Sequence, residues 1–399
     1  MKKAFLSYIL IFILFVIGLF LFSVSKNEEN DKTLVFWTLQ LGSFEKYINN
    51  IIVEFEKENP EYKIKWIDVP YSEGEKRTLA AILTDNPPDL VNLTPDFTML
   101  LAQKNTLYSI DKENLEQFLP SVTQSLTYNN ECFGIPFYAT SAVTLYNKQL
   151  TNDKISTYDE LFDFVPKKNS YTTMINFAEN DTLLKLLNKY GINSPQLINS
   201  EKSILLYEQF KKMFDLNFVP KESITQSHRD SLEKYMSGQL AYLVTGANFI
   251  NMVKENSPKV YEYTGVLPQL VGNTKKYDYS LMNFIIPKRA KNKEVALKFA
   301  LYFTNKKNQL EFAKMTTILP VNKYALEDDY FKYSNESDIQ SQARIISAKQ
   351  LNYLQLPLQN IKNKKELNTI SANYIQEILI NNRNIKESLD DFSQDWSKL

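Results

Sequence analysis

The chain has 399 residues, with 46 basic and 46 acidic side chains, so its length favours two lobes over one core and its balanced charge argues against a nucleic-acid partner. A single cysteine, Cys132, excludes an intramolecular disulfide or a zinc ribbon, and a single histidine, His228, excludes a histidine-rich metal centre. Aromatic residues reach 13% while glycines number only 9, a bias that follows AT-rich codon use, so each ring must be judged by its position. The chain begins Met1-Lys2-Lys3 and continues through an uncharged segment from Ala4 to Ser25. A basic flank stays on the cytoplasmic side, so the body is expected to be exported. The run approaches the ~20 residues a spanning helix needs, while Ser23 and Ser25 carry the small-residue spacing of a signal-peptidase site. A retained anchor is favoured over a cleaved signal, and both place the protein outside the cytoplasm. The lack of a following cysteine excludes the usual lipoprotein anchor.

Strand and helix patterns then alternate. Leu34 to Trp37 is apolar and strand-like, and Phe44, Ile48, Ile51, Ile52 and Phe55 recur on one helical face until Asn59-Pro60 stops it. KIKWIDV (Lys63 to Val69) alternates as a strand, Glu73 to Leu83 carries a helix, and DLVNL (Asp89 to Leu93) forms a third strand before an apolar helical segment. Three βα units imply a parallel sheet whose ligands bind beyond the strands' carboxyl ends. That rule selects Trp37 to Gln40, Tyr71, and Thr94 to Asp96. No phosphate-binding glycine motif occupies these turns. Their ring, amides, hydroxyls and carboxylate suit a neutral, hydroxyl-rich ligand, with N-capping as the competing role for Asp96.

Beyond residue 100, Gly134 to Leu150 opens with a turn and runs into a strand. Helices are expected around Tyr158 to Phe164, Thr182 to Tyr190 and Lys202 to Phe214. Gly238 to Val253 reads as a strand, a turn at Gly246 and a helix start; Tyr279 to Ile286 is strand-like, and Lys293 to Phe303 is an amphipathic helix. The tail from Leu367 to Leu399 is helical, with Trp396 as a docking residue. His228, in the polar stretch QSHRDS, is expected to be exposed rather than to act as a general base. No cofactor or metal is expected.

These segments resemble the extracellular solute-binding proteins of ABC importers, in particular the sugar-binding group that includes the maltose-binding protein. FWTLQ with VEFEKENPEYKI is similar to that family's first strand and helix, PPDLVNLTPDFTMLLAQKNTLYSID to its third strand and following step, and GIPFYATSAVTLYNKQL to its first crossing between lobes. TYDELFDF resembles a helix opening in which Tyr158 stands for tryptophan, SGQLAYLVTGANFI the Gly-x-x-Ala segment, and VALKFALYFTNKKNQLEFAKMTTILPVNKYAL the late helix and final crossing. The resemblance implies a two-lobed α/β periplasmic-binding-protein fold of type II, with parallel-rich sheets flanked by helices and a ligand cleft between the lobes. The implied organisation is 1–32 for anchor or signal and spacer, 33–140 with 268–318 for the first lobe, and 141–267 with 319–399 for the second. A hinge is implied near Ala139 to Ala142, with return crossings near Pro268 and Pro320. The resemblance implies Trp37, Gln40, Asp96, Tyr138, Asn248 and Phe249 as binding residues, and Tyr71, Asn176, Phe177, Tyr279 and Ser280 are further candidates. This chain lacks a tryptophan often seen at the position of Asn248 and the glycine-rich approach to Tyr279-Ser280, which moves the ring platform to Phe249, Tyr138 or Tyr279.

The function expected is capture of a small solute, a sugar or oligosaccharide, by lobe closure and its delivery to an ABC permease. The expected protein is an extracytoplasmic, non-enzymatic monomer that contacts the membrane through its N-terminal segment and binds no nucleic acid. An exported glycosidase is the alternative, since paired carboxylates and aromatic platforms would serve both. A ligand-sensing protein for a membrane receptor is a third possibility.

Overall fold

The computed structural model describes residues 32–333, 338–358, 361 and 363–399. The segment 4–25, expected as anchor or signal, lies outside the described residues. Among those described, no helix is long and apolar enough to cross a membrane. The chain divides into two compact units. Unit 1 comprises residues through Phe118, Leu126–Phe137 and Met282–Phe312; unit 2 comprises Leu119–Ser125, Tyr138–Leu281 and Ala313–Leu399.

Unit 1 starts with β1 (Thr33–Leu39), α1 (Glu45–Glu58), β2 (Lys63–Val69), α2 (Tyr71–Ile82), β3 (Leu90–Leu93) and α3 (Pro95–Gln103). β1 lies between β2 and β3 and runs parallel to both, as three successive βα units require. Residues 283–285 then pair antiparallel with β3, so the sheet is mixed. α1 forms because Tyr47, Ile48, Ile51, Ile52 and Phe55 share a buried face. It ends where the Asn59 side-chain amide donates to the Phe55 carbonyl at 2.9 Å, ahead of Pro60. The core contains a cluster of phenylalanines. Phe36, fully buried, meets Phe284, Phe299 and Phe303 edge-on at 5.6, 5.3 and 5.8 Å, and each such pair contributes about 0.5–1.5 kcal/mol beyond its buried area. The amphipathic helix Lys293–Phe303 supplies two of these rings from its buried face.

Unit 2 is organised around β4 (Ile135–Asn147), of which residues 138–147 belong to this unit. Along the chain follow α4 (Tyr158–Asp163), α5 (Thr182–Lys189), α6 (Glu201–Asp215), α7 (His228–Met236), β5 (Tyr242–Gly246), β6 (Thr264–Pro268) and β7 (Tyr279–Ile285), of which residues 279–281 belong to this unit. α8 (Ile339–Gln350), α9 (Lys364–Leu379) and α10 (Ile385–Ser397) complete it. β4 pairs antiparallel with β5 and β6, and Tyr171 makes a single parallel bridge to Leu240. Leu187, Tyr207, Phe210, Ile375 and Phe392 form the core beneath. Trp396 docks on it, stacked against Phe392 at 5.8 Å.

Residues 268–281 cluster with unit 2 rather than opening a return to the first lobe at Pro268. The Gln269 amide donates to the Gln350 side chain at 2.7 Å, and Tyr277 exchanges backbone hydrogen bonds with Tyr353 and Gln355. These bonds cross between distant segments, which sequence periodicity does not report.

Candidate functional site

In unit 1 the candidate residues gather at the carboxyl ends of the parallel strands. Gln40 follows β1 in the left-handed region, with φ 53°, and is exposed. This costly conformation is held from both sides: its amide donates to the Val69 carbonyl at 2.9 Å, and the Asp68 carboxylate accepts from Thr38 Oγ1 and from the amides of Leu41 and Gly42 at 2.6, 2.9 and 2.8 Å. Trp37 is half-buried, and its indole Nε1 has no hydrogen-bond partner among the described residues. Tyr71 opens α2 and Asp96 lies in the first turn of α3, both exposed. The N-cap of α3 is Thr94, so Asp96 is not itself the N-cap. Glu75, absent from the sequence expectation, joins them. Partial burial and then the Asp96 charge raise its carboxyl above the ordinary value, and burial followed by Glu75 and Asp96 does the same to the Tyr71 phenol. Glu75 was illegible because it sits one helical turn into α2, where no strand-end rule applies.

Unit 2 holds a cavity of about 520 Å³, within the ordinary range for small-molecule sites. Thr140, Ser141 and Ala142 of β4 line it together with the end of β5, the loop before α5, and Tyr279-Ser280 at the start of β7. Of the expected residues, Asn176, Asn248, Phe249, Tyr279 and Ser280 line this cavity. Tyr138 is half-buried on β4 opposite Pro320 and does not line it.

Two expectations need correction. Phe177 is 2% exposed and packs edge-on against Phe210 at 5.2 Å, so it is a core residue. The residues before it, Met174, Ile175 and Asn176, line the cavity. His228 is not an exposed histidine: it is half-buried and lines the cavity. The Ser227–Asp230 capping box starts α7 at this residue. There the His228 backbone amide donates to the Glu179 carboxylate at 2.8 Å, Nε2 lies 2.9 Å from Thr245 Oγ1, and the ring meets Phe249 edge-on at 5.3 Å. Burial holds its pKa below the ordinary value, opposed in part by Glu179.

Asn176 lines the cavity but its amide is already engaged. Nδ2 donates to the carbonyls of Gln226 and Ser227 at 3.0 and 2.8 Å, and Oδ1 accepts from Ser231 Oγ at 2.7 Å. Its side chain therefore holds the entry to α7 against the cavity wall. Lys189, at the end of α5, is 1% exposed, and its ammonium lies 3.0 Å from Asp278 Oδ2. The other charged side chains on the lining, Glu179 and Lys185, are exposed at the rim. The cavity thus presents hydroxyls, amides and rings around one internally neutralised ion pair, a surface suited to hydroxyl-rich, uncharged molecules. Among the described residues no group of three or more histidine, cysteine, aspartate or glutamate side chains is placed to hold a metal.

The maltotriose-binding protein of Pyrococcus abyssi is 23% identical to this chain over 283 residues, which cover 65% of this chain and 60% of that protein. The sn-glycerol-3-phosphate-binding periplasmic protein of Escherichia coli is 22% identical over 355 residues, covering 75% of this chain and 77% of its own length. Among solved structures, the maltose-binding periplasmic protein of Listeria monocytogenes in complex with maltose superposes with a TM-score of 0.73 at 23% identity, covering 92% of this chain and 98% of its own. The family model for bacterial extracellular solute-binding proteins matches residues 50–338, nearly three quarters of the chain. With the paired units and strand-end residues described above, that match makes this chain a member of the bacterial extracellular solute-binding protein family.

Proposed function

We infer that this protein captures a neutral oligosaccharide outside the cytoplasm and passes it to the permease of an ABC importer. The observation that carries the ligand class is the cavity of unit 2, in which Lys189 is matched by Asp278 and the remaining wall is hydroxyl, amide and ring. A phosphate ester would need an amine or guanidinium left free for it. Among the described residues, the one other amine on the lining is Lys185, exposed at the rim. The names of the relatives divide between maltotriose and sn-glycerol 3-phosphate, and this charge pattern favours the first.

Phe249 and Tyr279 are the proposed ring platforms, with Asn248 and Ser280 as hydrogen-bonding partners. Trp37, Gln40, Tyr71 and Asp96 are proposed as the contribution of unit 1, and capture is proposed to proceed by lobe closure, which requires that the ligand bind the closed form better than the open one. We assign residues 4–25 the role of a membrane tether that keeps the protein near its permease. Isothermal titration with malto-, cello- and xylo-oligosaccharides and with sn-glycerol 3-phosphate tests the ligand class. Heat with a neutral oligosaccharide and none with the phosphate ester is expected. The converse result, or silence across every sugar, overturns the assignment.

A further inference from the structure

We propose that Lys189 is a positioning residue of the cavity, holding segment 269–278 on the end of α5 so that Tyr279 and Ser280 face the ligand; this rests on the binding function above. Burying an ammonium is costly unless every donor finds a partner, and Lys189 meets that condition. Its Nζ reaches Asp278 Oδ2 at 3.0 Å, Gln269 Oε1 at 3.1 Å and the Lys276 carbonyl at 3.3 Å. All three acceptors lie on one segment.

The backbone of the same residue grips that segment again. Its carbonyl accepts from the Thr274 amide at 3.0 Å. A Cβ on Gly272 would lie 2.7 Å from that carbonyl oxygen, so glycine permits the close approach. From Gln269 the network continues into the cavity wall. Gln269 Oε1 accepts from the Asp278 amide at 2.7 Å, and the Gln269 amide donates to Gln350, whose side-chain nitrogen donates to Ser141 Oγ at 2.7 Å and to the Ala142 carbonyl at 2.9 Å. Ser141, Ala142, Tyr279 and Ser280 all line the cavity. One buried amine thereby fixes where two separate stretches of wall stand. A residue retained only for stability would have no need to converge its donors on the approach to Tyr279.

The test separates positioning from stability with three variants. Lys189→Met removes the donors; Lys189→Met with Asp278→Leu also removes the carboxylate left unpaired; Gly272→Ala pushes the segment off α5 while keeping the ammonium. Melting temperature, maltotriose affinity by titration, and amide hydrogen exchange of residues 272–280 without ligand are measured for each. Lys189→Met is expected to weaken maltotriose binding by about tenfold or more and to speed exchange across 272–280. The double variant is expected to recover melting temperature but not affinity, and Gly272→Ala to reproduce both the affinity loss and the faster exchange. Recovery of affinity along with melting temperature would make the pair a stability element and overturn the proposal, as would unchanged exchange in Lys189→Met. If maltotriose fails to bind the unmodified protein, the ligand assignment fails instead, and the exchange measurement still decides the role of Lys189.

Discussion

Unit 1 and unit 2 hold their candidate residues in place with different materials. In unit 1 the candidate residues stand near the ends of parallel strands, above a core in which phenylalanine rings meet one another and one small buried group, Asn92, Asn283 and Thr98, is joined by hydrogen bonds. In unit 2 the polar residues beside the cavity are themselves buried: Lys189, Gln269 and Gln350 are joined in one hydrogen-bond network across distant segments, and Asn176 in a second with Ser231. The difference implies that a strand-end residue is set by local contacts, whereas the wall of this cavity rests on a network whose members depend on one another.

The largest effect should come from the phenylalanine core. Phe36→Ala is expected to lower the unfolding free energy by about 3–5 kcal/mol, measured by denaturant titration, because the fully buried ring leaves three aromatic partners facing a void. A loss below about 1 kcal/mol would mean that unit 1 repacks freely and that the contrast between a rigid apolar core and a polar network is false. Asn176→Ala comes next. It strands two carbonyls and one hydroxyl, and a cost of about 1–3 kcal/mol is expected, with weakened ligand binding because His228 and Phe249 lose their support. Normal affinity in a destabilised variant would separate the network from the site.

Gln40→Gly sharpens the comparison from the other side. Relief of the left-handed conformation is expected to leave stability unchanged or raise it by up to about 1 kcal/mol, while affinity falls if Gln40 contacts the ligand. Equal affinity would remove Gln40 from the site.

The smallest contrast is expected in pH dependence, and it has opposite sign in the two units. His228 has a folded pKa depressed by burial, so its contribution to stability is complete above about 6.5 and is lost as pH falls through the folded value. Glu75 has a folded pKa raised by burial and by Asp96; its contribution is complete below about 4.3 and is lost as pH rises through the folded value. His228→Gln and Glu75→Gln should each flatten their own window in unfolding measurements across pH 4 to 8. Flattening of the same window by both variants would refute the assignment.

Unit 1 was largely legible before the structure. The period of Ile48, Ile51, Ile52 and Phe55 places α1, alternation places β2, and the strand-end rule selects Gln40, Tyr71 and Asp96, because βα units are built from contacts close in sequence. Unit 2 was legible element by element but not as a site. Asn248, Phe249, Tyr279 and Ser280 were selected by resemblance and do line the cavity. Phe177 was assigned to the ligand although it belongs to the core, since the chain turns there, its amide donating to the Ile175 carbonyl at 3.0 Å, and its ring goes to Phe210. His228 was expected in solvent because its neighbours are polar, and the polarity serves the capping box that starts α7.

The amino-acid sequence alone determined the alternation of strands and helices, the balance of charge and the poverty of metal ligands. These are properties of single residues or of short periodic windows. The tertiary structure alone decided that Lys189, Gln269, Asp278 and Gln350 share one buried network, that Glu75 and Asp96 feel one another, and that His228 lines a cavity. Such juxtapositions join residues far apart in the chain, and a buried charge reveals its partner only once folding has removed the water that would otherwise have solvated both.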